Sequence, residues 1–215
     1  MRSEFAKLLA TPVRDAFWFH DYRFVLGASG DLRRRGFALR QQVYLEEEYI
    51  AASSRTEMLF TDEFDDVSEH LVVLDKDDCV VGATRFVLPS PLGYPTERFF
   101  NVQRPNVRPE RLGEFSRLTI AAGHRGGARA PMIGLLKLVY EVMVRNSVDH
   151  VYAFMAPRLI TSLASLGCVT RRLPELPPTP EHLANRRPMK GYFEKQDILP
   201  VLLRLDEAIA AITAS

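Results

Sequence analysis

The sequence predicts an α/β (or α+β) fold, one mixed β-sheet with helices on both faces. Three observations carry this. Strand-like and helix-like segments alternate in the order β-α-β-β-β-α-β-α-β. Residues 71–74 and 80–88 are strands separated by Asp75-Lys-Asp-Asp78, a hairpin signal. Residues 112–136 read as strand, small-residue basic loop and amphipathic helix in succession.

In chain order, residues 1–20 form an N-terminal arm or helix with an aromatic cluster at Phe17, Trp18 and Phe19. A short strand at 22–26 ends at Gly27-Ala-Ser-Gly30, and Asp31 then caps a helix of about four turns to Glu48, with an apolar stripe through Leu32, Leu39 and Val43. On the strand at 80–88, Val81, Ala83, Arg85 and Val87 share one face. An arginine in that row either snorkels to water or is held by carboxylates. Residues 89–111 are proline-rich, with one helical turn at 96–100. The central strand covers 112–121. The helix at 131–146 opens on a proline and carries Met132, Leu135, Leu136, Val139, Tyr140 and Met143 at helical spacing. A strand at 151–155, a helix at 157–166 closed by Gly167, a proline-rich loop at 173–190 and a last strand at 198–205 follow, with a helical tail to 214. No repeat or second domain is visible, so 1–215 is read as one domain.

At 47% hydrophobic and 26% charged residues the chain reads as globular. No apolar run approaches the roughly 18 residues of a membrane span, and the first ten residues lack a secretory core, so the expected location is the cytoplasm, without membrane insertion. Cys79 and Cys168 are read as buried structural thiols, and the five histidines lack metal-ligand spacing, so no metal is expected. Net charge is +1, but residues 46–78 hold twelve acidic and two basic residues, and 104–172 hold eleven basic and four acidic. The second segment suits an anionic partner. No nucleic-acid motif or aromatic ladder accompanies it, so nucleic acid is not expected.

The loop after the central strand, His124 to Ala130, leads into a helix N-terminus, where free N–H groups and the helix dipole favour an anionic group. Glu114 lies a few residues upstream. The alternative is an ordinary β-loop-α unit with polar decoration.

Five short segments add a resemblance: Arg40-Gln-Gln-Val-Tyr44, Asp62-Glu-Phe-Asp65, His70-Leu-Val-Val, Val81-Gly-Ala-Thr-Arg85 and Glu114-Phe-Ser-Arg117. In this order and spacing, over roughly residues 20–170, the chain resembles the acyl-homoserine-lactone synthases and their relatives, the long-chain N-acyl amino acid synthases. It is also similar to acyltransferases found with bacterial protein-sorting systems. The resemblance implies a GNAT-like N-acyltransferase fold, with a V-shaped sheet splayed at its centre. It implies transfer of a fatty acyl chain from acyl-acyl carrier protein to the amine of an amino acid, possible acceptors including tyrosine, with no permanently bound cofactor and acyl-phosphopantetheine as co-substrate. Carried over, Arg40, Asp62, Asp65, Arg85 and Arg117 form a charged cluster on the acceptor side, and Glu114 is the general base. Glu46-Glu-Glu-Tyr-Ile50 stands where lactone synthases usually carry a tryptophan, which favours the amino acid synthases. Arg125-Gly126-Gly127-Ala128-Arg129-Ala130 resembles the phosphopantetheine loop, with Ala128 replacing its first glycine. Two rivals stand beside this reading: a lactone synthase using S-adenosylmethionine, and a non-catalytic acyl- or carrier-binding module.

The chemistry sets further expectations. Glu114 needs burial to raise its pKa. On a regular strand Glu114 and Arg117 face opposite ways, so either they do different jobs or a bulge realigns them. A bulge at 119–121 would free a backbone N–H near Thr119 or Ile120 for the thioester oxyanion. Ile133 and Phe154 are candidates to line an acyl tunnel. Arg125, Arg129, Lys137 and Arg158 are candidate docking residues for an acidic carrier protein.

Overall fold

The computed structural model describes residues 2–51, 60–126 and 129–204. Eight strands form one sheet: β1 (Ala16–Phe19), β2 (Tyr22–Val25), β3 (Ser68–Leu74), β4 (Val80–Val87), β5 (Leu112–Ile120), β6 (His150–Met155), β7 (Thr170–Arg172) and β8 (Leu199–Arg204). Their order is β1-β2-β3-β4-β5-β6-β8-β7. Every pairing is antiparallel except β5 with β6.

Helix α4 (Ala130–Arg145) covers one face of the sheet. Its Leu135, Leu138 and Val142 pack with Phe24, Leu71, Val73 and Phe86 in the main core. Gly134 permits the close approach of α4 to β2, because a Cβ there would lie 2.0 Å from the Phe24 ring. Helix α1 (Arg2–Ala10) lies across the outer side of α4, burying Phe5. Lys137 is therefore fully buried. It donates to the Leu9 carbonyl at 3.1 Å and pairs with Glu141. The expected docking role of Lys137 is overturned: the helix is not exposed on its outer side, because α1 covers it.

Helix α2 (Gly30–Glu46) covers the opposite face of β3 and β4, with Leu39 and Val43 packed on Val72, Leu74 and Ala83. Its N-cap is Ser29 rather than Asp31, which sits in the first turn, where a carboxylate suits the helix dipole. Helix α3 (Pro95–Phe99) is the expected single turn, and α5 (Pro157–Ser165) follows β6.

Several segments differ from expectation. The N-terminal arm contains β1 as well as α1, and the edge hairpin β1-β2 is held by four facing residue pairs. Residues 173–190 are not all loop: Thr179 caps α6 (Pro180–Arg186), and a 3-10 turn leads into α7 (Lys190–Lys195). Pro180 and Pro188 stand at helix starts, where the missing N–H costs nothing, while Pro174, Pro177 and Pro178 lie in the connection before α6. Strand β7 is a three-residue edge. Cys79 is exposed in the β3-β4 turn and Cys168 is half-buried. The tail beyond 204 lies outside the described residues.

Gly134→Ala should lower stability by about 1–3 kcal/mol through overpacking against Phe24, read as a lower denaturation midpoint in urea with an unchanged slope.

Candidate active site

The central feature is a parting of β5 from β6. They pair only through Leu112–His150, Gly113–Val151 and Glu114–Tyr152. Beyond Glu114, β5 stays with β4, while β6 stays with β8 as far as Met155–Leu199. A cleft opens between them, as a splayed sheet requires. Its inner part is a cavity of about 130 Å³ lined by Phe115 to Leu118 of β5, Ala153 to Ala156, Tyr44, Met189 and Tyr192. A hollow of about 390 Å³ adjoins it, lined by Thr119, Ile120, His124, Arg125, Arg129 and Met132. Tyr44, Tyr49, Leu118, Arg158 and Leu159 border both.

One wall is shaped by a bulge. Arg85 faces Ser116 and Ala83 faces Thr119, so Arg117 and Leu118 together oppose Thr84. Arg117 has a φ of +61°, a left-handed conformation that glycine usually supplies at this bulge position. In a non-glycine residue it costs roughly 1–2 kcal/mol. The Thr84 hydroxyl donates to the Ser116 carbonyl at 2.8 Å, and the Thr119 hydroxyl to the Arg117 carbonyl at 3.0 Å. The extra residue realigns Arg117 onto the face of Arg85, Ser116 and Glu114, which resolves the parity conflict on the strand. The bulge lies two residues upstream of the expected site.

That displacement separates Thr119 from Ile120. The Ala121 N–H bonds the Val81 carbonyl, which places Thr119 in a hydrogen-bonded pair with Ala83 and Ile120 in a non-hydrogen-bonded pair with Gly82. The Thr119 backbone therefore points to β4, overturning its expected oxyanion role. The Ile120 N–H and C=O point to the side that β6 has left, and the carbonyl accepts from Arg125 Nε at 2.8 Å.

Five residues of the expected cluster meet in one buried network. Arg40 grips Asp65 through two bonds of 3.1 and 3.0 Å. Arg85, 1% exposed, bonds both oxygens of Asp62, reaches Asp65 at 2.9 Å and donates to Ser116 Oγ at 3.1 Å. Arg117 donates to Asp62 at 2.8 Å and packs over the Phe60 and Tyr44 rings. Asp62 and Asp65 also form a capping box on the 3-10 turn Glu63–Val67, so the acidic segment is locally pre-organised. Burial alone would raise the Asp62 pKa, but Arg117 and Arg85 outweigh it and hold the carboxyl well below its usual range. Arg117 stays protonated, since Tyr44 and Asp62 offset its desolvation.

Glu114 stands outside this network. The network therefore sets three arginines against two carboxylates. Glu114 is fully buried; one oxygen accepts from the Thr96 N–H at 2.8 Å, and the other has no protein partner. Burial pushes its pKa up to about 8, against the opposing effect of the Thr96 hydrogen bonds. Its neighbours Phe115 and Ser116 line the inner cavity, whereas the Glu114 carboxyl lies behind them and lines neither space.

On the donor side, Arg125 borders the hollow but is committed to Glu47 and the Ile120 carbonyl. Arg129 is the left-handed N-cap of α4, with φ +55°, and its side chain makes no cap hydrogen bond. Pro131 is at the second helical position rather than the first, and Ala130 is buried. Gly127 and Ala128 lie outside the described residues, and Gly126 precedes them in a bend. Phe154 lines the inner cavity; Ile133 is core. Tyr49, Thr96, Met189, Tyr192 and Gln196 were not foreseen. The last two come from the segment around α7, whose pattern carried no helix signal.

The architecture is that of an acyltransferase. Solved structures with the same fold include the acyl-homoserine-lactone synthase LasI (13% identity, covering 90% of this chain and 95% of that one, TM-score 0.63). FeeM, an N-acyl amino acid synthase from uncultured soil microbes, matches at 12% identity, covering 88% and 93%, with a TM-score of 0.60. A putative N-acetyltransferase from Lactobacillus plantarum matches at 15% identity, covering 86% and 99%, with a TM-score of 0.52. No curated protein sequence matches. The family model for N-acyl amino acid synthase FeeM matches residues 35–169, and the chain belongs to that family. It is an enzyme of the acyltransferase class, with a GNAT-like fold.

Because native Glu114 holds its proton to about pH 8 while the unfolded chain releases it near 4.5, wild type loses stability as pH rises between those values, by about 1.4 kcal/mol per unit at most. Glu114→Gln should remove this slope. The difference in unfolding free energy between variant and wild type should grow from pH 5 to pH 8; a constant difference would show that the carboxyl is not desolvated.

Proposed function

We propose that the protein transfers a long fatty acyl chain from the phosphopantetheine thioester of acyl carrier protein to the α-amine of an amino acid. The observation that carries this reading is the pair of spaces between the N-terminus of α4 and Arg117 at the parted strands, which share Tyr44, Tyr49, Leu118, Arg158 and Leu159 as lining. The first end suits the anionic, extended pantetheine arm. In this proposal the described residues Arg125, Gly126, Arg129 and Ala130 receive that arm, together with Gly127 and Ala128, which the sequence assigns to the same loop. Phe115, Leu118, Ala153, Phe154 and Met155 supply an apolar path for the acyl chain. The network of Arg40, Asp62, Asp65, Arg85 and Arg117 shapes the polar wall against which the acceptor lies.

N-acylation requires a neutral amine, a nearby proton acceptor and a donor to the thioester oxyanion. An α-amino group has a pKa of about 7.7–8.0, so only about a tenth is neutral at pH 7. A carboxyl at about 8 is matched to that amine, and proton transfer between them is nearly balanced. In this proposal Glu114, whose carboxyl borders neither space, takes the amine proton through an intervening water. The Ile120 N–H meets the oxyanion as the tetrahedral intermediate forms. Collapse of that intermediate breaks the C–S bond and releases the pantetheine thiol.

The direct test combines lipid mass spectrometry of bacteria expressing the protein with thiol release from acyl carrier protein in vitro. N-acyl amino acids are expected. Acyl-homoserine lactones formed from S-adenosylmethionine would replace this reading with the lactone synthase, and carrier binding without product would leave a binding module. Glu114→Gln should lower kcat by about 10²–10⁴ with little change in KM. Wild-type rates should climb up to about pH 8 and then level as the carboxyl ionises; near-normal turnover of the variant removes the assignment.

A further inference from the structure

The arginines of the cleft fall into those paired with carboxylates and those whose hydrogen-bond partner is a neutral hydroxyl; of the latter, Arg129 meets Ser165 and borders only the outer hollow. Arg117 is committed to Asp62, Arg125 to Glu47, and behind the wall Arg40 and Arg85 are committed to Asp65 and Asp62. Arg158 is different. It borders both the inner cavity and the outer hollow, and its partner among the described residues is a neutral hydroxyl, Tyr49 OH, at 3.3 Å. The same hydroxyl accepts from Gln196 Nε2. Tyr49 in turn lies edge-on to Tyr44 and Tyr192, both lining the inner cavity. An aromatic frame thus lies beside the guanidinium where the two spaces meet, and among the described residues no carboxylate pairs with it.

We propose that Arg158 is the binding group for the α-carboxylate of the acceptor, and that it selects amino acids over amines lacking that group. This rests on the acyl-transfer reading above and deepens it. An amino acid brings one anionic group into the cleft, held close to its amine. Burying that carboxylate beside the apolar lining without a cation would be costly, and the paired arginines have already spent their charge. Arg158 offers a planar fork matched to a carboxylate. Its place at the meeting of the spaces puts the amine next to the thioester carbon, which must lie at the end of the donor arm. A phosphate of the donor arm is the other anion that could use the same guanidinium, and kinetics separate the two.

The experiment measures thiol release from acyl carrier protein with the best of the twenty amino acids and with its carboxamide, in wild type, Arg158→Gln and Arg158→Lys. Wild type should favour the acid at least tenfold in kcat/KM. Arg158→Gln should raise the KM for the acid at least tenfold, abolish the preference and leave the donor KM within twofold. Arg158→Lys should restore part of the preference. Retained preference in Arg158→Gln overturns the proposal, as does a rise in donor KM alone, which would assign the guanidinium to phosphate. If wild type acylates no amino acid, the acyl-transfer reading itself falls and this inference with it. If wild type acylates acid and carboxamide equally, only this inference falls.

Discussion

The hydrogen-bonded chain Arg40–Asp65–Arg85–Asp62–Arg117 is the interaction on which the site depends. It joins α2, the 3-10 turn, β4 and the bulge of β5 through buried guanidinium–carboxylate contacts. Such ions are expensive to bury, and their value for net stability is small. What they provide is geometry. Arg117 occupies a left-handed conformation that only a firmly held side chain sustains, and its bond to Asp62 supplies that hold. With Arg117 and Leu118 bulged, β5 stays with β4, and its other edge faces the open space left by β6.

The cleft then has two chemically distinct ends. Outside, the α4 N-terminus and Arg129 form a cationic, backbone-rich mouth. Inside, apolar side chains and aromatic rings surround the Arg117 guanidinium, paired with Asp62, and the Arg158 guanidinium, bonded to the Tyr49 hydroxyl. Glu114 is set back from both, buried beside Thr96, where desolvation is not offset by an ion pair. The separation of Glu114 from the ion network explains why its pKa rises while that of Asp62 falls, although both are carboxyls within one polar layer.

Much of this was legible in the sequence. Hydrophobic periodicity placed α2, α4, α5 and the strands from β2 to β6, and Arg40, Asp62, Asp65, Arg85 and Arg117, grouped by the family resemblance, lie together. What was not legible arises from tertiary contacts. Lys137 looked exposed because the pattern of α4 does not record that α1 lies across it. Thr119 looked like an oxyanion donor because the bulge position depends on which residues of β4 and β5 face one another, and no local signal records a two-residue displacement. Glu114 was grouped with the arginines by motif, whereas its real partner, the Thr96 N–H, comes from a proline-rich stretch with weak periodicity. The α6–α7 segment looked like loop because its many prolines punctuate short helices rather than preventing them.

The most direct measurement is hydrogen exchange of β5 in Asp62→Asn, compared with wild type under conditions where both are folded. If the ion chain holds the bulge, the amides of residues 116–120 should exchange at least tenfold faster, while those of α4 remain unchanged. Equal protection of residues 116–120 in the two proteins would contradict the account, because the left-handed turn at Arg117 would then be held by something other than Asp62.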